Sequence, residues 1–149
     1  MKYFTLNELC RSATASRLKI DNTPTADVCY NLEMLVRYIL DPLREAWGAP
    51  IIVTSGYRCP RLNKAVGGAA SSQHMKGQAA DIRTVSDNPA ENRRLLDLLV
   101  KLNLPFDQVI NEYPDKNGCP DWIHVSYSDR HRRKQMTCVR GKYVLGLDG

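Results

Sequence analysis

Leu32, Leu35, Val36, Ile39, Leu40 and Leu43 recur three or four residues apart, the spacing of one face of an α-helix. Asn22-Thr23-Pro24-Thr25 is a turn that launches this helix, and Gly48 can close it as a left-handed cap, with Pro50 just beyond. Pro42 lies inside the stretch and predicts a kink there. A second helix starts at Asn88-Pro89-Ala90-Glu91, with proline at its first position. Leu95, Leu96, Leu98, Leu99 and Leu102 supply its buried face. Thr5-Leu6-Asn7-Glu8 reads as a capping box before a short helix. Residues 61–66 read as one or two helical turns that Gly67-Gly68 breaks.

Between these helices the period changes. Ile51-Ile52-Val53-Thr54 is short and β-branched, and Ser55-Gly56 ends it. Residues 78–83, Gln108-Val109-Ile110-Asn111 and residues 122–127 read as three further strands. The order predicts an α+β fold: helices first, then a small antiparallel sheet with a helix inserted. The chain of 149 residues is 43% hydrophobic, enough for one domain, residues 1–149, with its own core.

Composition narrows the classes. No apolar run approaches the roughly 20 residues a membrane helix needs. Met1-Lys2-Tyr3-Phe4-Thr5-Leu6-Asn7-Glu8 lacks the apolar stretch of a signal peptide, so the expected location on synthesis is the cytoplasm. Net charge is +5, concentrated in Arg130-His131-Arg132-Arg133-Lys134. That run is either a solvated basic turn or a surface for an anionic polymer such as nucleic acid or cell wall. Aromatic residues do not interleave it, which speaks against a single-strand nucleic-acid platform. None of the five cysteines forms a C-x-x-C pair. The odd count and the missing signal point to reduced thiols, a Cys59–Cys119 bridge being the alternative.

Two polar segments carry the chemistry. One is Ser72-Gln73-His74-Met75-Lys76-Gly77-Gln78-Ala79-Ala80-Asp81, the other Asp121-Trp122-Ile123-His124. Catalytic zinc takes three protein ligands and leaves one place for water. His74, Asp81 and His124 would supply two nitrogens and one oxygen. The gap from His74 to Asp81 fits a loop that turns at Gly77 and re-enters a strand. Strand alternation puts His124 on one face with Trp122 and Ser126, and Ile123 and Val125 on the other. Asp121 is the expected general base for a zinc-activated water. Arg58, in Ser55-Gly56-Tyr57-Arg58, is the expected electrophile for a substrate carboxylate or oxyanion.

The pattern Ser72-x-His74-x-x-Gly77-x-Ala79-x-Asp81 with Asp121-x-x-His124 resembles the zinc D-alanyl-D-alanine carboxypeptidase family. That family takes in D,D-carboxypeptidases, vancomycin-resistance D,D-dipeptidases and phage L-alanyl-D-glutamate endolysins, and hedgehog signalling domains share its fold. The resemblance covers roughly residues 50–126, and Ser55-Gly56-Tyr57-Arg58 matches the segment that carries the family's substrate-polarising arginine. It implies Zn2+ on His74, Asp81 and His124, Asp121 as general base, Arg58 on the oxyanion and Ser72 against substrate. The D,D-dipeptidases carry glutamate where this chain has Asp121, so Asp121 is more like the endolysin type. The implied protein is a monomeric metallopeptidase that cuts peptidoglycan stem peptides, with no nucleic-acid or membrane partner. Its substrate lies outside the cytoplasm, which a prophage origin and a separate lysis system would reconcile. Rival readings are a zinc-containing binding module of the same fold without catalysis, a non-haem iron oxygenase with a two-histidine, one-carboxylate triad, and a nucleic-acid binder using the basic run.

Overall fold

A computed structural model describes residues 1–148. Six helices and six strands follow one another: α1 Leu6–Cys10, α2 Ala13–Leu18, α3 Ala26–Leu35, α4 Asp41–Trp47, β1 Ile51–Ser55, α5 Pro60–Ala65, β2 Ala79–Thr84, α6 Pro89–Lys101, β3 Gln108–Glu112, β4 Trp122–Ser126, β5 Lys134–Val139 and β6 Lys142–Leu145. The helix starts are built as their sequences dictate. Thr5, Ser12, Thr25 and Asn88 each accept a backbone N–H of the first turn, which satisfies donors that have no partner inside the helix. Gly48 closes α4 at φ 78° and donates its N–H to the Arg44 carbonyl.

Pro42 does not break the long helix. A π-helical turn, Val36–Leu40, joins α3 to α4, and the Asp41 N–H donates to the Val36 carbonyl five residues back. Proline has no N–H and its ring crowds the carbonyl four residues earlier. Widening the preceding turn absorbs that conflict and keeps the helix continuous. Leu32, Leu35, Val36, Ile39, Leu40 and Leu43 are all fully buried along it.

The strands form one sheet in the order β1-β2-β4-β3-β5-β6. Four of its five pairings are antiparallel, whereas β5 runs parallel to β3. The sheet is thus mostly antiparallel, as expected, with one parallel pairing: the chain returns after β4 to the far side of β3 and runs alongside it. The two C-terminal strands, β5 and β6, were not expected from the sequence; they follow the basic run, whose residues 130–133 form an exposed turn. They are linked by Arg140-Gly141, both at positive φ, the two-residue hairpin geometry that glycine favours.

Register sorts the side chains onto two faces. Ile51, Val53, Ala80, Ile82, Val109, Ile123 and Val125 pack with the helix leucines in one core. The other phase carries Asp81, paired with His124, and Ile110, paired with the same His124. In α6, Leu95, Leu96 and Leu99 are buried while Leu102 is exposed. Asn92 of α6 is fully buried and fastens two strands together. Its Oδ1 accepts from the Thr84 N–H and Oγ1 at 2.9 and 2.8 Å, and its Nδ2 donates to the Pro120 and Asp121 carbonyls, both at 3.2 Å. Among the described residues no helix is long and apolar enough to cross a membrane.

Candidate metal centre

His74 stands in a 3-10 turn, Gln73–Lys76. Ser72 Oγ accepts the His74 N–H at 3.2 Å and so starts the turn. Gly77 ends it at φ 71°, and a Cβ there would lie 2.8 Å from the Val28 carbonyl oxygen. Only glycine lets the chain turn this closely over α3 and enter β2. The turn is held from three sides. The Arg58 N–H donates to the His74 carbonyl at 3.0 Å. Gln73 Nε2 donates to Asp107 Oδ2 at 2.9 Å. His74 Nδ1 lies 2.7 Å from the Gly56 carbonyl. A carbonyl only accepts, so Nδ1 carries a proton and Nε2 is the nitrogen turned to the site.

That Nε2 is 3.3 Å from Asp81 Oδ1, and His124 Nδ1 is 3.2 Å from the same oxygen. One donor atom from each of His74, Asp81 and His124 lies within 4.8 Å of the others. Donors bound tetrahedrally to zinc at 2.0–2.2 Å are about 3.3–3.6 Å apart. Two imidazoles, one carboxylate and a carbonyl that fixes one ring's tautomer are a chemically suitable set for that ion. Burial alone would raise the Asp81 carboxyl, but the nearby His74 and hydrogen bonds from both histidines hold it well below the usual carboxylate range. The site therefore presents a carboxylate anion.

The other expected residues divide. Arg58 is half-buried, and its Nε has no partner among the described residues. Burial lowers its pKa from the ordinary guanidinium value, and the Asp81 carboxylate pulls it back up. A cleft of about 580 Å³ lies against it, lined by Arg11, Ser12, Thr14, Thr54 and Ser55 among others. None of the three donors lines that cleft or a second cavity bordered by Trp47 and Arg94. Ser72 serves the turn through its hydroxyl.

Asp121 does not join the donor group. It is exposed and stands in the bend just before β4. Its backbone is tied down, with its N–H donating to the Glu112 carbonyl at 3.0 Å and its own carbonyl accepting from Asn92. Glu112 was not singled out from the sequence, yet it is 7% exposed and lies on the sheet face that carries Asp81 and His124. Its signal was hidden because β3 and β4 are joined by a long loop, residues 113–121, whose length fixes no register.

The basic run is largely engaged. Arg132 Nε and Nη2 donate to the two Asp107 oxygens at 2.8 and 3.0 Å, Arg130 lies 3.6 Å from the same carboxylate, and Arg133 donates to Asn103 Oδ1 at 2.7 Å. These arginines fasten the segment that leads into β5 while their side chains stay partly exposed. His131 is exposed, its ring 5.2 Å from that of Tyr127. All five cysteines are free, Cys59 and Cys119 included.

A comparison with curated proteins finds no match. A protein-family comparison does: the model described as Peptidase M15 matches residues 2–126, a span that holds β1 to β4 and all three donors. The chain belongs to the Peptidase M15 family of zinc peptidases.

Proposed function

We propose that this protein is a zinc-dependent peptidase that hydrolyses an amide bond in the peptidoglycan stem peptide, in the manner of a D,D-carboxypeptidase or an L-alanyl-D-glutamate endopeptidase. The observation that carries the reading is the convergence of His74, Asp81 and His124 beside a half-buried arginine with an unpartnered Nε. His74, Asp81 and His124 would hold the ion. When bound, zinc supplies a Lewis acid that polarises a carbonyl and lowers the pKa of water.

The chain's own groups do the rest. The Gly56 carbonyl keeps His74 in one tautomer and one orientation. Arg58 offers donors to a substrate carboxylate or to the oxygen that gains charge as the carbonyl is attacked. The cleft beside it is lined by serine and threonine hydroxyls and by Arg11, and so suits an anionic, amide-rich peptide. A carboxylate must also carry a proton from water to the leaving nitrogen.

The test is mass spectrometry of purified peptidoglycan after digestion by zinc-loaded protein, beside Asp81→Ala. The expected result is new stem-peptide fragments from the wild type alone, whose masses name the bond. No fragments across several wall types would defeat the peptidase reading and leave a zinc-containing binding module.

A further inference from the structure

The cleft beside Arg58 is lined by two guanidiniums and by no carboxylate. We infer that it receives a free carboxylate of the substrate close to the scissile amide, and that Arg11 selects for that group; the inference rests on the peptidase reading above and narrows it.

The cleft lies along β1, the edge strand of the sheet, whose outer side pairs with no further strand. Thr54 and Ser55 of that strand form one part of its lining, Arg11, Ser12 and Thr14 of the connection from α1 into α2 another. Arg11 is exposed, and its N–H donates to the Asn7 carbonyl at 2.9 Å, so the backbone holds it in place whatever its side chain does. Among the described residues neither Arg11 nor Arg58 forms an ion pair, and Arg58 Nε has no hydrogen-bond partner. Two planar, permanently charged forks beside serine and threonine hydroxyls are suited to the paired oxygens of a carboxylate.

The cleft adjoins the donors. Ser55 pairs with Asp81, and the Cα atoms of such a pair are about 4.5–5.5 Å apart. Thr54 Oγ1 donates to the Asp81 carbonyl at 3.3 Å, and the Arg58 N–H to that of His74 at 3.0 Å. At about 3.3–3.6 Å per extended residue, a group seated beside Ser55 is one or two residues from an amide held at the donors. The Asp81 carboxylate also acts on the Arg58 guanidinium. An ion on the three donors would take up that negative charge, and the cleft would then be more strongly cationic.

Both candidate bonds place a carboxylate at this range. In a peptide ending in D-Ala-D-Ala, the residue that leaves with the amine carries the terminal carboxylate. In L-alanyl-D-glutamate it is the glutamate, which keeps one carboxyl when the other continues the chain. The cleft thus discriminates by charge at the leaving residue. A carboxamide there has the same size but presents an uncharged group to two guanidiniums, and a site built for a polar group rejects the analogue that lacks it.

The experiment uses the zinc-loaded full chain as wild type, Arg11→Gln and Arg11→Lys. The substrates are two pairs of synthetic stem peptides, one ending in D-Ala-D-Ala and one containing L-alanyl-D-glutamate. Each pair consists of the free acid and the carboxamide at the leaving residue. The readings are kcat/KM, calorimetric Kd, and zinc affinity by competition with a chromogenic chelator. Wild type is expected to prefer the acid of the pair it cuts by at least about tenfold, the scale of a lost charged hydrogen bond. Arg11→Gln should shrink that preference at least about fivefold, in kcat/KM and in Kd, with zinc affinity within about threefold of wild type. Arg11→Lys keeps the charge without the fork and should retain an intermediate preference. If Arg11→Gln does not fold, the smaller preference of Arg11→Lys carries the test. A merely structural Arg11 would weaken acid and amide alike and leave their ratio unchanged. The inference is overturned by that result, by a wild-type preference under about tenfold, or by an Arg11→Gln preference reduced less than about fivefold. A wild type that binds zinc but cuts neither pair sinks the peptidase reading itself, and the calorimetric preference for acid over amide still decides what the cleft receives.

Discussion

Replacing Asp107 by asparagine tests the claim that a buried carboxylate holds both the donor-bearing turn and the approach to β5. Its side chain is 0% exposed, whereas that of Arg132 is 38% exposed. Oδ1 accepts from the Arg132 N–H at 3.2 Å and Nε at 2.8 Å; Oδ2 accepts from Arg132 Nη2 at 3.0 Å and Gln73 Nε2 at 2.9 Å. Asparagine keeps one acceptor oxygen. Its NH₂ then meets two groups that also donate, so two hydrogen bonds are lost and the buried negative charge disappears. Breaking a buried pair by removing one partner costs about 3–5 kcal/mol. Because Arg132 stays partly solvated, we take the lower end, about 3 kcal/mol. For a chain of this size that corresponds to a Tm lower by about 6–12 °C.

The pH dependence gives a second check on the same residue. Burial alone would raise the Asp107 carboxyl, but hydrogen bonds from Arg132 and Gln73 outweigh it and hold the group well below the usual range. A depressed folded pKa means the stabilisation is complete above the unfolded value, about 3.9, and fades as the pH falls through and below it. Urea unfolding followed by circular dichroism should show the full gap between wild type and Asp107→Asn at pH 7 and a clearly smaller gap near pH 3. A difference under about 1 kcal/mol at pH 7 would refute the reasoning, since even one charged hydrogen bond is worth more. So would a gap that does not narrow with acid.

Three further outcomes are expected. Chelation should lower Tm, and zinc at a hundredfold excess over its Kd should restore about 2.7 kcal/mol; a melt indifferent to zinc, or a zinc response that survives His74→Ala, would exclude these donors as the site. Asn92→Ala should cost about 2–3 kcal/mol by chemical denaturation, because it strands the buried Thr84 N–H and Oγ1 that Asn92 serves; a loss below about 0.5 kcal/mol would show those groups find other partners. Gly56→Ala should give little folded protein on expression and gel filtration, because a Cβ there would stand 2.1 Å from the Leu9 carbonyl oxygen; a variant with native Tm would show that α1 yields easily.

Local signals were legible in the chain. Thr5, Thr25 and Asn88 cap the helices they announce, and the His74, Gly77, Asp81 spacing describes a turn into a strand because glycine alone suits that close approach. Strand alternation alone sufficed to place His124 opposite the core-facing Ile123 and Val125. What stayed hidden depends on partners remote in sequence. The run from Arg130 to Lys134 does lie largely exposed, but its pairing with Asp107 was hidden because that acceptor is more than twenty residues away. The parallel pairing of β5 with β3 has no local signature, although the Arg140-Gly141 turn between β-prone residues could have revealed the hairpin. The proximity of Asp121 to His124 along the chain favoured it as a base. Asp121 stands just before β4, so strand alternation does not fix where its carboxylate lies, and the register of β3 against β4 that buries Glu112 has no local signature. Pro42 signalled a conflict correctly, and the π turn is the backbone's way of resolving it.

The position of β5 beside β3 also imposes an order on synthesis. Every donor of the metal centre is translated by His124, before the strand that covers β3 exists. At about 5–20 residues per second, the interval from β4 to the end of β6 is on the order of a second. Throughout it β3 has an open edge, a row of unpaired N–H and C=O groups able to recruit a strand from another nascent chain. Crowding among chains on a polysome would favour strand exchange over closure while that edge is open.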